Sequence, residues 1–272
     1  MRWAKKTMVQ FPHPSSTAER QTALKILALE TSGDCCSAAL LIDNRLEHLC
    51  ETAPRRHADL ILGMLEALLQ AAGLQLSDLD AIAYGRGPGS FTGVRIAAAV
   101  AQGVAFGAER PVIGISTLAA VARAAFRQTG QPQIACALDA RMGEVYWACY
   151  QLAQTSAGDQ ALLRDQEQVI PPEQTPLLER AGLERAGWCA AGSGWRAYPE
   201  LIDRHRAALQ TDAKAAPTPG QRPLIIDCRP EAQDIAWLAR AASDQSLRPD
   251  QALPVYLRNQ VAEVSRKTPV SA

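Results

Sequence analysis

Apolar positions along this chain change period several times, and each change marks an element. "KILALETSGDCCSAALLID" (residues 25–43) reads as strand, turn, strand. Ile26, Leu27 and Leu29 form the first apolar arm, Ala38 to Ile42 the second, and Thr31, Ser32, Gly33 and Asp34 the turn. "NRLEHLCE" continues the meander with a third strand. Residues 56–72 then take the helical period and stop at Gly73. At about 100° per residue, Asp59, Gly63, Glu66 and Gln70 fall within roughly 60° of one another. Apolar side chains fill an opposite arc of roughly 220°, where a stripe of ~100° suffices to dock a helix on one core. The excess predicts a helix covered on two sides. "LDAIAYG" is a buried strand, and a glycine-rich loop follows it. The next helix, residues 91–107, carries only Arg95 and Gln102 as polar side chains in its interior. They lie seven apart, hence on one face, and a helix so apolar elsewhere is predicted to be covered nearly all round.

The second half repeats the theme. "PVIGIS" is a strand, and "TLAAVARAAF" a helix with Ser116 as its N-cap. "QIACALDARMGEVYWACY" is again strand, acidic turn, strand, with Asp139 standing where Glu30 stood in the first hairpin. The echo predicts two lobes, one over residues 24–115 and a smaller one over 116–272 with the C-terminal segment. Residues 154–165 read as a polar loop, and "PPEQTPLLERAG" as a short helix begun by prolines. "WCAAGSGW" reads as a strand running into a glycine turn, and residues 211–221 as a surface insertion. "RPEAQDIAWLARAAS" reads as a helix, and "LPVYLRNQVA" as a late extended segment. Residues 1–23 are polar and read as a disordered extension or a start assigned too early.

Charge and cysteine content narrow the function classes. The 28 basic residues equal the 28 acidic ones, so the basic surplus of an independent nucleic-acid binder is missing. Seven cysteines without a C-x-x-C pair read as reduced core residues of a cytoplasmic protein. No apolar stretch follows the basic residues near the start, and no run approaches the ~18 apolar residues of a membrane span.

The loop "YGRGPGSFTGVRI" (residues 84–96) is the strongest chemical cue. It lacks the lysine of a P-loop, and Gly85, Gly87, Gly89 and Gly93 do not have dinucleotide-fingerprint spacing. Two readings remain: an anion site on amides at a helix start, or a tight strand-to-helix reversal. Ser90 lacks the G-x-S-x-G elbow, and capping of the next helix by Ser90 or Thr92 is the better reading. His57 has no histidine neighbour and reads as structural. Glu30 and Asp139 read equally well as general bases or Mg²⁺ supports beside a cleft and as turn formers.

"LALETS", "YGRGPGSFTGVRI", "DARMGEVYWACY" and "PVYLRN" together closely resemble the bacterial TsaB (YeaZ-like) family, over residues 27–259. The resemblance implies a two-lobed α/β fold of the actin, Hsp70 and sugar-kinase type, with RNase H-like lobes and mixed sheets. It implies a noncatalytic subunit that supports the TsaD paralogue, with the ATPase TsaE, in forming threonylcarbamoyladenosine next to the anticodon of tRNAs reading codons that begin with A. TsaD carries an H-x-x-x-H metal pair; here Ile61 stands four residues after His57, so metal chemistry is not expected of this chain. No cofactor of its own is expected, since ATP/ADP and a divalent metal would belong to the assembled complex. The family also implies pairing with TsaD through the two first-lobe helices, and self-pairing of the isolated chain. Leu60, Met64, Ala67 and Ala71, with Arg95, Ala98 and Gln102, are read for that surface; Ile61, Leu65 and Leu68 could exchange with the first group. Gly87, Gly89, Ser90, Thr92 and Gly93 would then be a vestigial phosphate loop. Asp139, Arg141 and Glu144 keep the family motif, with contacts to TsaE, nucleotide or tRNA left open. The competing readings are an ATP-binding small-molecule kinase or ATPase of the same fold, and a peptidase.

Overall fold

The computed structural model describes residues 23–155, 158–178, 187–209 and 224–258. The polar N-terminal stretch and the insertion at 211–221 lie outside the described residues, except that Ala23 itself is included. Two mixed sheets carry the fold. The first joins β1 (Lys25–Glu30), β2 (Cys35–Ile42), β3 (Arg45–Thr52), β4 (Ala81–Gly87) and β5 (Val112–Ser116) in the order β3-β2-β1-β4-β5. The second joins β6 (Gln133–Arg141), β7 (Glu144–Thr155), β8 (Gly158–Leu163), β10 (Cys189–Ala191) and β11 (Ile225–Ile226) in the order β11-β10-β6-β7-β8, with β9 (Gln168–Ile170) also on β7. In each sheet three antiparallel strands are followed by two parallel ones. The second sheet therefore repeats the topology of the first, which is the two-lobed RNase H-like architecture. Within residues 154–165, expected to be a polar loop, Gln154 and Thr155 end β7 and Gly158–Leu163 form the whole of β8. Strand β8 sits at an edge, where one face needs no apolar cover, so its sequence lacks a strand signature.

The chain stacks in five layers. Helices α1 (His57–Ala72) and α2 (Phe91–Ala108) cover one face of the first sheet, over Leu27, Leu29, Ala38, Leu40, Ile82 and Tyr84. The opposite face, with Ile26, Ala28, Ala39 and Leu41, packs on α3 (Thr117–Thr129) and α6 (Ala232–Ala241). Those two helices also meet the second sheet through Ile134, Cys136, Ala148 and Tyr150, so both lobes share one core. Beyond it, Trp147 and Val145 pack under α4 (Gly194–Ala197) and α5 (Glu200–His205). His205 lies there, stacked on Trp147, and burial pushes its pKa down to about 4. β1 runs apolar on both faces because it is central, while β3 alternates because it is an edge.

The helix limits follow local chemistry. Gly73 and Gly130 close α1 and α3 in the left-handed conformation. Ser116 Oγ accepts from the amides of Leu118 and Ala119 at the start of α3. Helix α2 is long and apolar enough to cross a membrane by length and composition. Here its stripe of Val94, Ala97, Ala98, Ala101 and Ala105 docks on the sheet. Cys35 and Cys50 are joined in a disulfide, against the expectation of seven reduced thiols. They stand diagonally across the β2–β3 ladder with Cα atoms 6.3 Å apart, a proximity that spacing alone does not reveal. The other five cysteines are free and buried.

A buried ion cluster ties α3 to α6. Arg123 Nη1 lies 2.6 Å from Asp234 Oδ1, and its Nη2 lies 2.9 Å from Asp159 Oδ2. Arg127 shares the same Asp234, which is 0 % exposed. Asp234→Ala leaves the buried Arg123 with only the Asp159 carboxylate of this cluster, and chemical unfolding should register a loss of about 3 kcal/mol. A loss under about 1 kcal/mol would mean that the cluster behaves like an exposed pair.

Candidate functional site

The glycine-rich loop owes its composition to what lies beneath it. The β1–β2 turn, Thr31 and Ser32, inserts under the start of α2. A Cβ on Gly85 would overlap the Glu30 carboxylate, and one on Gly93 would overlap the Thr31 carbonyl. On Gly89 it would lie 2.6 Å from Ser32 Cβ. Gly87, at φ 103° and followed by a cis bond to Pro88, faces the carbonyl of Val255. Polar bonds then fasten the seat. Thr31 Oγ1 donates to the Gly93 carbonyl at 2.7 Å, and the Ser90 amide donates to the Ser32 carbonyl at 2.9 Å. Ser90 caps α2 by accepting from the Gly93 amide at 3.4 Å. Of the five loop residues singled out, Gly89, Ser90, Thr92 and Gly93 line the cleft described next, and Gly87 does not. The amides of Ser90 and Gly93 are engaged within the chain.

Between the lobes lies a cavity of about 1110 Å³. Residues of the first turn, the glycine loop and the start of α1 form one wall; Asp139, Arg141, Arg196 and Arg229 are on the other. Glu30 is not in it. The side chain is 0 % exposed, Oε1 accepts from the Ser32 amide, and Oε2 has no partner. Desolvation raises its pKa, opposed by hydrogen bonds from Ser32, Thr31 and Thr117. Glu30 therefore makes no contact with the cleft. Asp139 does face the cavity, but it accepts from the Arg141 amide at 2.8 Å and from Tyr198 Oη at 3.1 Å, as a turn-forming acid does. His57 heads α1 at 8 % exposure, with Nδ1 unpartnered and its pKa lowered by burial. Among the described residues no three His, Cys, Asp or Glu side chains cluster as a metal site would need.

The outer face of α1 and α2 differs from the expected one. Leu60, Met64 and Ala98 are 5 %, 0 % and 3 % exposed, all inside the chain's own core, and present no surface. Ile61, Leu65 and Leu68, the alternative set, are buried too. The wide apolar arc of α1 is covered on two sides by the first sheet and by α2 together. Ala71 and Arg95 are exposed, and Ala67 and Gln102 half-buried. The open face includes Leu62 at 56 % and Gly63 on α1, beside the exposed polar Asp59, Glu66 and Gln70, with Ala99, Gly103, Gly107 and Phe106 at 79 % on α2. Nothing lies within 4 Å of where a Cβ on Gly63, Gly103 or Gly107 would stand. These helix glycines serve no contact inside the chain, although each costs about 1 kcal/mol of helix stability relative to alanine. Periodicity places the exposed Asp59, Gly63, Glu66 and Gln70 on one face of α1, but within the wide apolar arc it does not show which side chains the chain itself covers.

Comparison with known proteins places these features. A family model described as "TsaD: tRNA N6-adenosine threonylcarbamoyltransferase" matches residues 49–264. The tRNA threonylcarbamoyladenosine biosynthesis protein TsaB of Escherichia coli K12 is 39 % identical over 241 residues, spanning 88 % of this chain and 96 % of that protein. The protein of the same name from Haemophilus influenzae is 42 % identical over 186 residues, 67 % of this chain and 77 % of that one. The solved structure of YeaZ from Pseudomonas aeruginosa, 42 % identical, superposes with a TM-score of 0.71 over 86 % of this chain and 100 % of its own.

The two kinds of glycine respond oppositely to one methyl group. Gly93→Ala forces overlap with backbone and should lower stability by at least about 2 kcal/mol. Gly103→Ala meets open space in a helix and should raise it by about 0.5–1 kcal/mol. Denaturant midpoints of the two variants check this, and equal effects would refute it.

Proposed function

The chain belongs to the TsaB family of tRNA threonylcarbamoyladenosine biosynthesis proteins, and from that premise we propose that it is the supporting, noncatalytic subunit for a TsaD-type transferase. The outer face of α1 and α2 is the contact. The observation that carries the reading is the pairing of exposed Leu62 and Phe106 with Gly63, Gly103 and Gly107, helix glycines that the fold itself does not need. Small residues let a partner helix approach closely, and the apolar side chains supply the buried area. Ala99, Gly103 and Gly107 repeat at four-residue spacing, so they fall on one stripe.

Chemistry within the chain argues the same way. Where a metal pair would need a histidine one turn after His57, Ile61 is buried in the core. Glu30 is sealed from the cleft, which weighs against the alternative of an ATP-handling kinase with that acid on Mg²⁺. In this reading ATP/ADP, divalent metal and TsaE act on the assembled complex in the cytoplasm, with tRNA as its substrate. The same face serves a homodimer when the partner is missing.

Gly103→Glu separates assembly from folding. Glutamate is a better helix former than glycine, and the site is open in the lone chain, so the melting temperature should hold or rise. Buried in a helix–helix contact, the charge should weaken binding to purified TsaD by about 100-fold or more, read by titration calorimetry. Unchanged affinity would reject the face. Heat from ATP added to the isolated chain, with turnover, would favour the kinase instead.

A further inference from the structure

The cleft is closed on one side and open on the other. On the closed side α3 and α6 join both sheets in one core. Across the open side runs residues 252–258, a segment with no helix or strand after Ala252. Five contacts hold it to the first lobe. Gln102 Nε2 donates to the Ala252 carbonyl at 2.9 Å, and Tyr84 Oη to the Leu253 carbonyl at 3.2 Å. The Val255 amide donates to the Arg86 carbonyl at 2.7 Å. Arg95 Nε donates to Tyr256 Oη at 2.7 Å, and the Tyr256 ring lies 5.7 Å from that of Phe91.

Two residues later the segment grips the second lobe. Arg258 Nε donates to a Glu144 carboxylate oxygen at 3.0 Å, and its Nη2 pairs with the same oxygen. Nη2 also reaches the Arg141 carbonyl at 3.3 Å, and Nη1 reaches Met142 Sδ at 3.5 Å. Those residues form the tip of the β6–β7 hairpin. Arg141 and Met142 both hold positive φ, 63° and 57°, a conformation that L side chains adopt rarely. The Arg141 side chain is 82 % open and meets Asp139 at 3.0 Å, and its amide donates to the same carboxylate at 2.8 Å, so polar contacts rather than packing hold the tip. The Arg258–Glu144 pair is better shielded, at 17 % and 29 %.

We propose that residues 252–258 are a brace across the mouth of the cleft, with Arg258 as its latch on the β6–β7 tip. The brace makes the cleft width and the tip conformation depend on α2, because three of its anchors, Phe91, Arg95 and Gln102, belong to that helix. A group engaging α2 thereby acts on the second lobe at a distance. The proposal goes beyond the supporting role above and requires no partner for its test.

Native-state hydrogen exchange on the full chain reads the latch directly. In Arg258→Ala, amides at 141–145 and at Val255 should exchange about tenfold faster, while β1 and β4 amides keep their rates. The charge swap Arg258→Glu with Glu144→Arg should return the tip amides toward parental rates, whereas Arg258→Glu alone should not. Parental exchange at 141–145 in Arg258→Ala would overturn the proposal. So would a swap no slower than the single reversal.

Discussion

The structure hangs on a turn pressed against a loop at three positions, 85, 89 and 93, where the loop has no side chain. Thr31 and Ser32, with Glu30 before them, occupy the space that Cβ atoms at positions 85, 89 and 93 would fill. Because backbone meets backbone there, α2 starts directly over the end of β1, and its alanine stripe reaches the sheet. The cost is a carboxyl sealed from water with one oxygen unpartnered. That cost is offset by the hydrogen bonds that Thr31, Ser32 and Ser90 exchange around it. Once α2 is fixed, α1 fills the remaining face of the first sheet, and the two helices turn a common outer face away from the core.

Glycine thus does two separable things in this chain. Inside the seat it removes a clash; on the outer face of α1 and α2 it removes nothing that the chain itself contains. The second class is informative because helix glycines are unfavourable where no contact requires them. Together with Leu62 and Phe106, they are the basis on which this face is proposed as a contact. The cleft has less to offer chemically. Glu30 is sealed from it, Asp139 is engaged in its own turn, Asp227 pairs with Arg196, and residues 255–258 shape its wall.

Much of this was legible in the sequence, and the failures have physical causes. The β1–β2 and β6–β7 hairpins, α1, α2 and the caps at Ser90, Ser116 and Gly73 follow from local periodicity and local hydrogen bonding. The duplicated sheet followed from one acid at the same place in two hairpins, and the resemblance in motifs spread along the chain pointed to the same fold. Leu60, Met64 and Ala98 were misplaced because the hydrophobic pattern reports that a side chain is covered, never by which neighbour. β8 was missed because an edge strand needs apolar cover on one face only, and here Ala161 packs against the core while much of the strand is polar. The Cys35–Cys50 bond and the grip of Arg258 on Glu144 join residues distant in sequence or diagonal across a ladder, so no window along the chain contains their cause.

The central claim is that the fold completes its helix packing outside itself, on the α1–α2 face. A photo-crosslinking amino acid placed at Leu62, and separately at the exposed Arg206 of the second lobe, addresses it in the presence of purified TsaD. The account predicts a covalent adduct with TsaD from position 62 and none from position 206. An adduct from 206 with none from 62 would contradict it.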